Sequence, residues 1–251
     1  MKNIGLLIVL LGLIFSANAQ KALSNLEQTI NSGKAKNIKA LIHISGGELS
    51  VKGGSDELAQ VKFTYDKEDW VPTVSYTENN ELGKLIVKAS TEGEEKRIDD
   101  DNKCQLVLNG KYNYSLGLVL GAGLADLNFE YFNIEKALFK LGIGSFSINL
   151  SNVSLPFLRI EAGIGEVKLD LSGAYKNDLK AQINAGIGEL KVFVPSDIGV
   201  KFIVNGFLGD VQADNYNKQG NEYTNALFGK TKHSIVVKVN GAIGSIKIKE
   251  K

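Results

Sequence analysis

Few residues in this chain have the type and spacing to do chemistry, and they lie far apart. His43 and His233 are the two histidines, and neither has a second His or a Cys at metal-ligand spacing. His43 falls within a strand-like stretch and His233 just before one, so both read as strand-surface or packing residues. Cys104 is the single cysteine and has no internal disulfide partner. A thiol nucleophile would need its thiolate; beside the strand Gln105 to Leu108 it reads instead as a small buried apolar residue. Asp99-Asp100-Asp101-Asn102 is the densest acidic run. A helix-loop-helix calcium loop needs spaced acids, a central Gly and a distant Glu. Lys103 stands where a third ligand belongs and no Gly follows in place, so the run reads as a solvated turn.

Paired carboxylates for sugar hydrolysis would have to converge on one face. Glu166, Lys168, Glu189 and Lys191 are the nearest approach, and their spacing predicts a surface ladder of cross-strand ion pairs. Tyr65, Trp70 and Tyr76 flank a turn near Pro72 and could stack on a sugar or peptide, or pack into a core. An insertion within 210–234, including Asn215 to Tyr223, is the remaining binding candidate, with a neutral loop as its alternative. No catalytic, cofactor-binding or metal-ligating residue is assigned, and no cofactor is expected.

The elements that would carry these residues repeat. Gly-rich segments end at Gly144, Gly165, Gly188, Gly209 and Gly244, with steps of 21, 23, 21 and 35. A unit near 21 residues marks a solenoid or β-helix-like array. Two places after each glycine stand Phe146, Val167, Leu190, Val211 and Ile246; four places after stand Ile148, Leu169, Val192, Ala213 and Ile248. Polar residues separate them, which is the alternation of a strand with one buried face. A second alternating strand enters each glycine, through Phe139, Ile160, Ile183, Val204 and Val239. Each unit is therefore strand, glycine bend, strand, turn. A phosphate-cradling glycine loop would be followed by a helix, and none is signalled here.

An earlier unit runs through Gly46-Gly47, and another through Gly121 to Phe129, where Ala125 is expected to take the glycine place. Ordinary hairpin strands lie between them, from Gln60 to Leu108. Apolar residues 22, 23, 26 and 30 have helical spacing and predict a capping helix over Ala22–Ile30. The charged tail Lys247 to Lys251 is expected to discourage strand pairing at the other end. The expected fold is all-β: a β-solenoid or β-helix-like stack of units with added N-terminal hairpins. An irregular part, 20–116, precedes a regular part, 117–251, and 20–251 is expected to form one continuous domain.

Residues 1–19 read as a cleavable signal peptide, with Lys2, an apolar run Ile4 to Phe15 and the small pair Ala17 and Ala19. The run is shorter than the roughly 20 residues a membrane-spanning helix needs, and no later stretch meets that length. The expected location is therefore outside the cytoplasm, periplasmic or extracellular, including the cell surface. Without Lys2, the 29 basic residues become 28 and balance the 28 acidic ones, leaving no excess positive charge for nucleic acid. Only Arg97 and Arg159 are arginines, which weighs against nucleotide chemistry.

The stretches Gly46 to Val51, Phe63-Thr64-Tyr65 and Val71 to Tyr76 resemble the N-terminal part of bacterial toast-rack domains. Gly123 to Asn128, the Gly-x-Gly strands and Val194 to Val200 fit the same family, in the same order, from about 38 to 249. The resemblance implies a rack of strands in the cell envelope. Its relatives include adhesin-like domains and extracytoplasmic regions of proteins that regulate responses to cell-wall antibiotics. It brings no catalytic residues. The expected function is a non-enzymatic exported scaffold with a protein or glycan partner. The alternatives are a carbohydrate-active β-helix enzyme and a self-associating adhesin-like protein.

Overall fold

In each repeat unit the inward positions follow a period of two, then skip. Leu141 and Phe146 are both buried although they are five positions apart, and so are Ile44 and Leu49. An odd gap in a period-two pattern means that the chain turns a corner there and begins a new face. The computed structural model describes residues 23–67, 70–90 and 101–251, and it shows that corner in every long strand. The signal-peptide reading, Asp99 and Asp100 lie outside the described residues.

The described residues form an all-β chain of fifteen strands. Five come first: β1 (Ser24–Ile30), β2 (Asn37–Gly53), β3 (Ala59–Tyr65), β4 (Val71–Asn79) and β5 (Leu82–Ser90). The central ones are β6 (Lys103–Leu108), β7 (Asn113–Asn128), β8 (Asn133–Asn149) and β9 (Phe157–Asp170). Then follow β10 (Leu179–Asn184), β11 (Ile187–Val194), β12 (Gly199–Ala213), β13 (Asn217–Gln219), β14 (Glu222–Thr224) and β15 (Ser234–Glu250).

The long strands β2, β7, β8, β9, β15 and β12 pair in parallel along both arms of the corner, with β10 and β11 serving as the two arms of one further rung. The first arms bury Ile42, Leu118, Phe139, Ile160, Ile183, Val239 and Val204 in one row; the second arms bury Val51, Leu127, Ile148, Leu169, Val192 and Ile248. Connecting turns add Leu150, Val153, Leu155 and Leu171 to the same core. The bend glycines sit side by side: Gly47, Gly123, Gly144, Gly165, Gly188, Gly244 and Gly209 are successive partners. At Gly165 the φ angle is 131°, and a Cβ there would lie 1.8 Å from the Gly144 carbonyl oxygen. Neither the backbone angle nor the space admits a side chain.

Four expectations need correction. The segment from Ser24 to Ile30 is a strand: β1 pairs antiparallel with β3, Leu26 opposite Phe63. Half of its residues alternate inward, and a free sheet edge at β3 offers ladder hydrogen bonds that an isolated short helix would have to replace. At the second unit the bend residue is Gly123, in register with Gly47 and Gly144, and Ala125 takes the inward place beside Phe146 and Leu49. The third and fourth corrections concern chain order. The rungs do not follow the sequence, because β15 lies between β11 and β12. Its tail is therefore interior: Lys247 lies between Lys191 and Gln212, and Ile248 between Val192 and Ala213.

Candidate interaction surfaces

In a parallel stack held in register, equivalent residues of successive units become neighbours, so each outward position becomes a row. On the first arms one row is made of amides. Asn221 Nδ2 donates to Asn205 Oδ1 at 2.7 Å, Asn205 Nδ2 to Asn240 Oδ1 at 3.2 Å, and Asn240 Nδ2 to Asn184 Oδ1 at 3.0 Å. The same row continues as the ion pair of Glu161 and Lys140, 3.1 Å apart. These polar groups satisfy each other along the stack and do not converge on a common point.

The Glu/Lys ladder on the second arms is built differently from its expectation. Glu166 and Glu189 are direct neighbours, as are Lys168 and Lys191, so like charges adjoin. Glu189 instead pairs with Lys247 of the inserted β15, at 2.6 Å. That hydrogen bond holds the Glu189 carboxyl below its ordinary range. Lys168 and Lys191 extend over the Phe193 ring, 5.8 and 5.2 Å from its centre, and Lys251 joins them at 4.3 Å. Lys251 also reaches Asp170. Burial raises the Asp170 pKa, but hydrogen bonds from Lys251 and Ser172 outweigh it and leave the carboxyl below its usual value.

The remaining candidates separate in space. His43 is exposed on β2, while His233 Nδ1 stands 3.9 Å from Asp178 Oδ1 at the start of β15. Cys104 is buried on β6, and burial pushes its thiol up to about 12, so almost no thiolate forms near neutral pH. Asp101 lies in a turn. Among the described residues no group of three or more His, Cys, Asp or Glu could hold a metal ion. Trp70 is buried against the edge of Phe63, with ring centres 6.2 Å apart, so it is not available to stack on a ligand. Tyr76 is half-buried and turns its hydroxyl to Glu78, which also accepts the backbone N–H groups of Gly33, Lys34 and Ala35. Those hydrogen bonds, that of Lys34 foremost, lower the Glu78 pKa.

The 210–234 insertion folds into the hairpin β13–β14, which pairs antiparallel with the first arm of β12. Asn225 fastens it: Val200 N–H donates to Asn225 Oδ1 at 2.9 Å, and Asn225 Nδ2 donates to the Ile198 carbonyl at 2.8 Å. The hairpin thus closes an edge that would otherwise offer unpaired backbone. Between hairpin and stack lies an open hollow of about 450 Å³, lined by Phe207, Asp210, Lys218, Asn221 and Tyr223. Among the described residues the second arm of β12 pairs only with β15.

One row escapes a reading based on strand alternation. In five units the residue just before the bend glycine is a half-exposed aliphatic at the corner. Ile143, Ile164, Ile187, Ile243 and Leu208 are successive neighbours there, all exposed. The signal for it was the aliphatic residue that recurs next to each of those glycines.

The geometry defines a class: an all-β protein of bent parallel strands whose polar surface is organised as rows. The family model described as the N-terminal domain of toast_rack, DUF2154, matches residues 19–155 and 138–193. The chain belongs to that toast-rack family. It is similar to the crystal structure of a candidate cell adhesion protein from Clostridium sporogenes, at 27% identity, covering 92% of this chain and 100% of that one with a TM-score of 0.66. A candidate adhesin from Bacteroides fragilis matches at 9% identity over 91% and 98% of the two chains, with a TM-score of 0.35. No curated protein matches the chain.

Proposed function

We propose that this is an exported, non-enzymatic protein of the cell envelope, a β-solenoid-like rack formed by residues 20–251 that binds a protein or glycan partner through its strand rows. The observation that carries this reading is the similarity, over 92% of this chain and the whole of the other, to the Clostridium sporogenes protein described as a candidate for cell adhesion. The polar rows support it as well. A surface whose carboxylates and amides are engaged along the stack suits extended, multi-point contact better than bond cleavage at one centre.

Two measurements test it. Crosslinking in living cells should capture one dominant envelope partner, or the immobilised protein should retain one glycan class saturably. Turnover of a polysaccharide that a single acid-to-amide change abolishes would overturn the reading. Export is checked by the mass of the protein recovered from the cell exterior or periplasm, which should correspond to a chain starting at Gln20.

A further inference from the structure

The corner of the stack carries a ridge of apolar side chains. Ala122, Ile143, Ile164, Ile187, Ile243 and Leu208 follow one another along it, each the pairing partner of the next. The five large ones are between 50% and 68% exposed. Bending the chain does not require them. The unit at Gly47 turns the same corner with Gly46 in this place, and the unit at Gly123 does so with Ala122. Nor does sequence order produce the row, since Ile243 comes from the last strand and is slotted between Ile187 and Leu208. The row stops where the N-terminal hairpins lap over the bend: Gly46 and Gly47 are buried, with Trp70 3.1 Å from where a Gly47 Cβ would lie.

We propose that this ridge is a self-association surface, on which a second copy of this chain packs its own ridge. Three observations favour that occupant. The first is spacing: rungs recur at about 4.8 Å, so the five aliphatics span roughly 19 Å. A row of knobs at that repeat is matched best by gaps with the same repeat, and a second ridge supplies them, as in packed β-sheet interfaces. Bare glycine backbone flanks the knobs at Gly142 and Gly144 and again at Gly163 and Gly165, leaving room for the partner's side chains. The second is area. Five half-exposed aliphatics present about 500 Å² per copy, towards the upper end of the largest patch a monomer leaves, and two ridges fully covered bury about 1,000 Å², the floor for a specific interface. The third is charge. Glu166, Glu189 and Asp210 rim the ridge on the second arms, which disfavours an anionic membrane as the occupant.

Ile187 is the middle rung of the five. An antiparallel two-fold setting that fits knobs into gaps therefore leaves Ile187 within about half a rung of Ile187 of the second copy. The experiment is sedimentation equilibrium of the purified mature protein, with the Ile164→Lys/Ile187→Lys double variant beside it. A dimer is expected for the wild type, and its Kd should rise at least about a hundredfold in the variant. Both substituted residues are exposed, and unchanged circular dichroism and melting temperature verify that the variant folds. Ile187→Cys should form a disulfide dimer under mild oxidation, whereas Gln60→Cys on β3 should not. A wild type that stays monomeric at 100-fold the concentration used for purification, on the order of 100 μM, overturns the proposal. So does a dimer that survives the double variant, or a monomer that floats with phosphatidylcholine/phosphatidylglycerol vesicles and loses them on Ile187→Lys.

Discussion

Replacing Gly165 with alanine tests the central mechanical idea, that the stack closes only because its bends carry no side chain. Two costs separate cleanly. At φ 131° an L-residue is strained by about 1–3 kcal/mol. The new Cβ would also sit 1.8 Å from the Gly144 carbonyl oxygen and 2.9 Å from its carbon. Neither atom belongs to a flexible side chain, so the rungs must part by more than about 1 Å at the bend. That stretches ladder hydrogen bonds worth about 1 kcal/mol each. The expected total is about 3–5 kcal/mol, or a fall in Tm of roughly 10 °C for a protein of this size. Two controls isolate the contributions. Gly54 has φ 116° with nothing within 4 Å of its Cβ position, so Gly54→Ala should show strain alone, about 1–2 kcal/mol. Gly110 would meet only the Phe132 ring at 3.7 Å, so Gly110→Ala should be within about 0.5 kcal/mol of wild type. Urea unfolding followed by circular dichroism reads all three. If Gly165→Ala costs no more than Gly54→Ala, close approach of the bends is not what selects glycine.

Other outcomes follow from single contacts. Cys104 should resist thiol reagents in the native protein at pH 8 and react fully in denaturant; rapid native labelling would show that β6 opens or that the thiol is not buried. Asp170 and Glu189 have folded pKa values below their ordinary 3.8 and 4.5, so the unfolded chain binds their protons more readily. Their contribution is full above those values and is lost as pH falls through the folded ones. Asp170→Asn should accordingly flatten the decline of Tm below about pH 4, and an unchanged acid limb would count against the Lys251 contact. Asn225→Ala leaves the Val200 N–H and the Ile198 carbonyl without their side-chain partner, at about 2 kcal/mol. Its first sign should be faster amide exchange in β14, and uniform exchange changes across the stack would contradict that local role.

Much of this architecture was written locally. Alternation at Phe146 and Ile148, or at Val167 and Leu169, places a strand face without knowledge of its neighbours, and the glycine between two alternating runs announces the corner. The toast-rack resemblance rested on the same short stretches. The polar groups were harder to place, because what Glu189 meets depends on which strand is beside it. Trp70 and Tyr76 flank one turn in sequence, yet one is sealed against Phe63 and the other turns to Glu78.

Residue order by itself determined the length of the arms, the position of each bend and which side chains face inward, because these depend on backbone angles and period-two geometry within a few residues. Only the tertiary structure decided the order of the rungs. Every arm carries nearly the same pattern, so local sequence makes them interchangeable, and selection among them falls to their edges. The first arm of β12 has one edge occupied by the β13–β14 hairpin, which suits it to the end of the row; β15 carries no local hairpin on either edge and fills the place inside, paired on both sides. From that one placement come the Glu189–Lys247 pair, the amide row through Asn240 and the unbroken ridge through Ile243. Ser24 to Ile30 became a strand for the same kind of reason, since the open edge of β3 outweighed a weak helical spacing.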